Sequence, residues 1–352
     1  MVNFPAPVGG TAYADDFAPS ILFAVLYAAL VPLMLYRMFD RRSRTILLMQ
    51  TVTFSIERVV IFALRASQSR NDHRRLSPGL ATYMQVSFGM GYLGIAQDLV
   101  NLLRCMLVNP TYGSDTYFQS PAAMTKGGIY SPPPPGVPDE PKLRGLLRAL
   151  MGYMSLAFFA ALVPGIIANS VYRKGFHNQD TANRTASLRF VSSGVTLGLC
   201  LLIMFTAVWS LKRFPKNSKR ATGVVFSVSG LMAVVAVYRL SIMHFKTTSL
   251  SDPNPLNDSA AKATFYIFHV LPEWVAITTL LIPNIRKLLG TGMWGDFRWR
   301  DMTPAQVEKW KTQQAKREHE RNKKSGLSGD AHDEIPLQEK TKNTTSEVRV
   351  AV

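Results

Sequence analysis

The chain is poor in residues that build covalent or metal-held frameworks. It has two cysteines in 352 residues, and both, Cys105 and Cys200, fall inside long apolar runs. No disulfide framework is implied, and the thiols read as packing residues. Of six histidines only His269 lies deep in an apolar run, which excludes intramembrane zinc hydrolysis, a chemistry that needs three ligands in one group. No lysine stands midway along the last apolar run, Lys262 being at its edge, so a retinal Schiff base is excluded. Asp98 has no second aspartate at depth, which excludes proteolysis by an aspartate pair. There is no P-loop and no Ser/His/Asp arrangement in a soluble domain. The chain therefore reads as a non-enzyme without metal or cofactor.

What is present is a set of seven apolar stretches, each about the length that crosses roughly 30 Å of hydrocarbon as a helix. They run from Ile21 to Met38, Ile46 to Leu64, Ala81 to Leu107, Leu147 to Val171, Leu188 to Leu211, Gly223 to Met243 and Ala263 to Ile285. The expectation is an all-α polytopic membrane protein, a seven-helix bundle over residues 21–285. A short external N-terminus (1–20), a basic juxtamembrane segment and helix (286–324) and a disordered cytoplasmic tail (325–352) complete the chain. A net charge of +17 would suggest a polyanion for a soluble protein, but here the basic residues gather at the ends of apolar runs, so nucleic acid is not the partner.

Orientation follows from the same charges. The first twenty residues hold no Lys or Arg and carry Asp15 and Asp16, whereas Arg37, Arg41, Arg42 and Arg44 follow the first run. The positive-inside rule then puts the N-terminus outside and the C-terminus in the cytoplasm. Lys212, Arg213, Lys216, Lys219 and Arg220 agree; the loop Arg65 to Arg75, with four arginines and His73, dissents. No basic n-region precedes the first run, so it reads as a retained helix of a plasma-membrane, secretory-pathway or vacuolar protein. Sequons at Asn183 and Asn257 fall in loops that this topology places outside, and are glycosylation candidates; a third at Asn343 falls inside.

Three extramembrane segments have character. Residues 131–141 are proline-rich and read as an extended spacer or a docking site for a proline-reading domain. Trp294, Phe297 and Trp299 alternate with Arg298 and Arg300, a mix suited to a headgroup boundary. Thr303-Pro304-Ala305-Gln306 has the form of a capping box and predicts a polar helix to about Lys324.

Function is sought where polar side chains lie at depth, because each charge there is expensive unless paired or wetted. The candidates are Glu57 and Arg58 on the second helix, Asp98 with Gln97 and Asn101 on the third, Arg239 on the sixth, and His269 and Glu273 on the seventh. Tyr266, His269 and Glu273 share one face of the seventh helix, and Pro272 bends it there. These residues predict an outer polar cavity between helices two, six and seven for a small-molecule or lipid ligand. Asp98, Asn101 and Arg104 map to the inner half. The alternative is a set of buried ion pairs, such as Glu57 with Arg239, that hold the bundle together. Ser87 and Gly91 form a small-xxx-small pair, expected to mark close helix packing.

The stretches Asp16-Phe-Ala-Pro-Ser20, Arg58, Val237-Tyr238-Arg239 and Phe265-Tyr266-Ile267-Phe268 resemble the fungal lipid-translocating exporter family associated with aminocholesterol resistance, which also has seven spans. The chain departs from that family in lacking an acidic residue soon after the Tyr-Arg pair and in carrying His269 where the family tends to have Asp. From His269-Val-Leu-Pro-Glu-Trp274 to Gly290-Thr-Gly-Met-Trp-Gly-Asp296 it is similar to fungal seven-helix proteins described as receptor-like. Two functions remain open: a receptor or sensor whose ligand enters the outer polar cavity and shifts the bent seventh helix, its basic cytoplasmic face meeting a signalling partner, or a translocator of lipid or amphiphile. The chain shows no internal repeat of the kind many transporters carry, which favours the receptor.

Overall fold

The computed structural model describes residues 2–112, 139–214, 218–252, 254–297, 299–301 and part of 303–320. The proline-rich segment, the tail and the Asn343 sequon lie outside the described residues. Among the described residues of the first unit, 1–301, the regular structure is helical apart from one two-residue ladder, Phe4–Pro5 (β1) against Lys246–Thr247 (β2). Its long helices are Phe17–Phe39 (α1), Met49–Arg70 (α2), Pro78–Val108 (α3), Pro141–Ser170 (α4), Gln179–Arg213 (α5), Lys219–Ile242 (α6) and Ser259–Leu281 (α7).

Side-chain caps set many of the helix starts. The Ser77 hydroxyl accepts from Leu80 N ahead of Pro78, Asn178 accepts from Thr181 N, and Ser218 accepts from Ala221 N. Because hydropathy windows stop at the first charges, the helices outrun the apolar runs: α2 continues through Arg65 to Arg70, and α5 begins nine residues before Leu188. The seventh run is cut short instead. Its helix ends at Leu281, and after Pro283 a separate short helix, Ile285–Leu289, closes on Gly290 in the left-handed conformation (φ 60°).

Six of the long helices, all but α3, are long and apolar enough to cross a membrane. The polarity of the bundle is inverted relative to a water-soluble fold: Leu22, Val25, Phe39, Leu146, Phe159, Phe205 and Ile282 are exposed while seven arginines among the described residues are buried. Hydrocarbon around the helices explains both observations at once. α3 is the exception that this arrangement predicts. At 31 residues it is long enough, about 46 Å at 1.5 Å per residue, but it packs against α2, α4, α5 and α6 and most of its residues are buried. Shielded from lipid, it carries Gln85, Asp98 and Arg104 in its interior and loses the uniform hydropathy of its neighbours.

Neighbouring helices pack in chain order, and α7 closes the bundle against α6 and α1. One end, here the capped end, is covered by the N-terminal segment: Ala6 N donates to Phe245 O, Val8 N to Gln85 Oε1, and Tyr172 Oη to Pro5 O. The far end gathers residues 40–48, 109–112 and 282–301, where Ile46 N donates to Met293 O and Arg286 Nη1 to Arg41 O. The second unit begins at Met302; its described positions between 305 and 320 are helical, opened by reciprocal bonds between Thr303 and Gln306.

Candidate functional site

α7 is not a regular helix. Residues Tyr266–Val270 form a π turn, in which Leu271 N reaches back five residues to Tyr266 O. Pro272 has no N–H to offer Phe268 O, and the wider turn accommodates that loss. The turn presents Tyr266, His269 and Glu273 inward, at 7 %, 0 % and 1 % exposure, and leaves Ile267 and Phe268 outward. The three residues expected to share a face therefore do.

Their partners define a latch. Arg58 on α2 grips Glu273 with both arms of its fork, Nε to Oε2 at 2.8 Å and Nη2 to Oε1 at 3.0 Å, and Nη1 donates to Ser87 Oγ at 2.6 Å. Gly91 leaves room for that guanidinium: a β-carbon there would stand 2.2 Å from Arg58 Nη2. The Ser87–Gly91 pair thus serves a side chain rather than close backbone packing, a correction to the small-xxx-small reading. On the other side, Arg239 Nη1 donates to His269 Nε2 at 3.4 Å. A guanidinium has no acceptor, so that bond assigns the neutral imidazole proton to Nδ1. Nδ1 lies 3.8 Å from Glu273 Oε1 and makes no hydrogen bond. His269 is enclosed by the rings of Phe88, Tyr92, Tyr238 and Phe265.

A second cluster ties α7 to the cap. Asp16, at the start of α1, accepts from Arg65 Nη2 at 2.8 Å, from Lys262 Nζ at 2.5 Å and from Tyr266 Oη at 3.0 Å, while Ser20 Oγ lies 2.9 Å from Tyr266 Oη. Arg65 also donates to Gly9 O in the covering segment. This explains the dissenting loop charge: Arg65 is a buried helical residue paired with Asp16, not a loop residue. Asp16 and Arg65 are not among the charges at depth taken as site candidates, because both lie beyond the apolar runs.

The remaining candidates sit apart. Glu57 is half-buried on the other side of α2, beside Tyr83, and makes no pair with Arg239. Asp98 faces Thr51, accepting from its N at 2.9 Å and its Oγ1 at 2.8 Å, toward the far end. No hydrogen bond or ion pair joins it to the latch among the described residues; Ser55, buried on the same face of α2 as Thr51 and Arg58, lies between them along the helix. The expected outer site is brought together in part: Arg58, Arg239, Tyr266, His269 and Glu273 gather beside α7, while Glu57 and Asp98 do not join them. The polar side chains bond one another, and one opening nearby is an apolar groove of about 550 Å³ between α5, α6 and α7, lined by Leu201, Val237, Tyr238 and Phe268 among others. Tyr238 Oη, beside that groove, is buried without a hydrogen-bond partner.

A far-end cluster also escaped the sequence reading. Arg148 bonds Asp296 at 2.8 Å and pairs with Asp301; Arg144 bonds Asp301 at 2.5 Å and Asp139 at 2.5 Å, stacking over Tyr112. Burial alone would raise the Asp301 carboxyl, but hydrogen bonds from Arg144 and Arg148 hold it below the usual carboxylate range. Trp299 closes this dock, its ring within 2.5 Å of where a β-carbon on Gly152 would be.

Of the sequons, Asn183 lies within α5, bonded to Gln179 and near Lys246, and Asn257 is tied into the cap, accepting from Thr11 N and donating to Asp252 O. No group of three or more His, Cys, Asp or Glu that could hold a metal occurs among the described residues. Comparison with protein-family models, with curated proteins and with solved structures finds no match.

Proposed function

We propose that the chain is a seven-span membrane protein, N-terminus outside, acting as a receptor-like sensor in which α7 is the moving part. The observation that carries this reading is the division of the buried charges. The latch on α7 and the Asp98–Thr51 contact are two separate sets of bonds, with no hydrogen bond or ion pair joining them among the described residues, whereas a headgroup carried from one leaflet to the other would need a continuous polar track. A helix held by ion pairs at one end, weakened by a π turn and continuous with the docked far-end segment has instead the form of a switch. A ligand whose apolar part enters the groove beside Tyr238 would meet the latch from the side.

Two measurements test this. Purified protein in vesicles should leave a headgroup-labelled phospholipid in the leaflet where it was placed; robust flipping overturns the sensor. Spin labels at Val208 and Ile282, both exposed near the far end, should show a shifted distance distribution when Glu273→Gln weakens the latch. An unchanged distribution removes α7 from the role.

A further inference from the structure

Two arginines buried in the capped half lack a carboxylate. There, among the described residues, the interior holds five cations, Arg58, Arg65, Arg189, Arg239 and Lys262, against two carboxylates, Asp16 and Glu273. Arg58 takes Glu273, while Arg65 and Lys262 take Asp16. Arg189 and Arg239, at 2 % and 3 % exposure, are left with neutral partners. Arginine does not escape burial by losing its proton, and an uncompensated buried charge is strongly unfavourable. We propose that Arg189 and Arg239 form a binding site for an oxyanion, the carboxylate or phosphate group of a ligand, beneath the N-terminal cap. The proposal rests on the sensor reading only in naming what its ligand carries.

The donors converge and are under-used. Arg189 stacks over Tyr172 at 4.4 Å and also meets its hydroxyl, a neutral partner. Its Nη2 makes two long contacts, 3.4 Å each, to Gln85 Oε1 and Asn169 Oδ1, and its Nε is buried with no partner. Arg239 spends Nη1 on Phe88 O and His269 and Nε on Ser193, its Nη2 donating no hydrogen bond. Gly89 lies between the two sides. A β-carbon on it would stand 2.6 Å from Asn169 Nδ2 and 3.7 Å from Arg239 Nη2, so both groups close on one glycine. Forked guanidinium donors match planar carboxylate or phosphate oxygens. Gln85 Oε1 is shared between Arg189 and Val8 N of the cap. An anion that takes Arg189 from Gln85 would therefore be felt by the covering segment.

The test uses the full chain purified in a neutral detergent, with inorganic phosphate, dodecyl phosphate and dodecanol as probes. Dodecyl phosphate should raise the thermal transition, and Arg189→Gln and Arg239→Gln should each weaken its binding about tenfold. An equal effect of inorganic phosphate identifies a free anion; an effect of dodecyl phosphate alone identifies an anionic lipid or amphiphile. Without probe, each Gln variant should unfold at or above the wild-type temperature, since it removes an unbalanced charge, whereas Arg58→Gln should unfold below it. Charge-conserving Arg189→Lys and Arg239→Lys keep the comparison if a Gln variant fails to fold, and should bind dodecyl phosphate more weakly than wild type. Equal stabilisation by dodecanol, variants that bind like wild type, or Gln variants as destabilised as Arg58→Gln would overturn the site. Lipid flipping by a chain that still binds phosphate here would remove the sensor reading and leave the site standing.

Discussion

Arg58 and Glu273 show how residue chemistry decides the energetics at depth. Each is 1 % exposed, and each satisfies the other through a two-point bond. Removing one partner leaves the other charged and buried, so Glu273→Leu should cost about 3–5 kcal/mol, while Arg58→Met with Glu273→Leu together should recover most of it. A double-mutant cycle on the thermal transition measures this, and additive losses would show that the pair is not coupled. Glu273→Gln keeps the shape and one acceptor and should fold. Gly91→Ala attacks the same bond by sterics: its β-carbon cannot coexist with Arg58 Nη2, so a loss of about 1–3 kcal/mol is expected from the displaced guanidinium. The sequence showed Arg58, Arg239, His269 and Glu273 as charges at depth, but not their pairing. Glu57 and Arg58 are adjacent on α2 and so face different ways; nothing in their order says which one turns inward.

The π turn was legible only as a proline bend, because Pro272 signals a missing donor without specifying how the helix absorbs it. Pro272→Ala should restore that donor and allow α7 to rewind into regular helix, rotating His269 away from Arg239. Loss of the distance signature between Val208 and Ile282, with stability retained or raised, is the expected result. Helix ends differ from the run ends because apolar character fades at the first charges: Arg65 lies just past the second run, and Arg148 and Arg189 stand at the very start of the fourth and fifth, yet the bundle buries all three. The far-end dock adds a pH dependence. Because the Asp301 carboxyl is held below its ordinary value, its contribution to docking is present above about pH 4 and is lost as pH falls through the lowered folded value. Trp299 fluorescence should report release of residues 290–301 at acid pH, and Asp301→Asn should release them already at neutral pH.

At the scale of the whole molecule, seven apolar runs correspond to seven long helices, and the class of the protein was legible from length and hydropathy. The weak point was α3, whose polar content reflects its place inside the bundle, something no single-helix measure contains. Orientation rests on charge asymmetry, and one of the four arginines of the dissenting loop, Arg65, is withdrawn from that count by burial against Asp16. The remaining balance favours an external cap. Cysteine labelling can decide it, because Cys105 and Cys200 are both buried and give little background. In intact cells a membrane-impermeant thiol reagent should modify Asp72→Cys, whose side chain is 83 % exposed at the capped end. Arg42→Cys, exposed at the far end, should react only after permeabilisation. The reverse pattern would invert the protein in the membrane and with it the side from which a ligand reaches α7. Modification of both from outside would mean that the helices between them do not cross the bilayer as an odd number of spans.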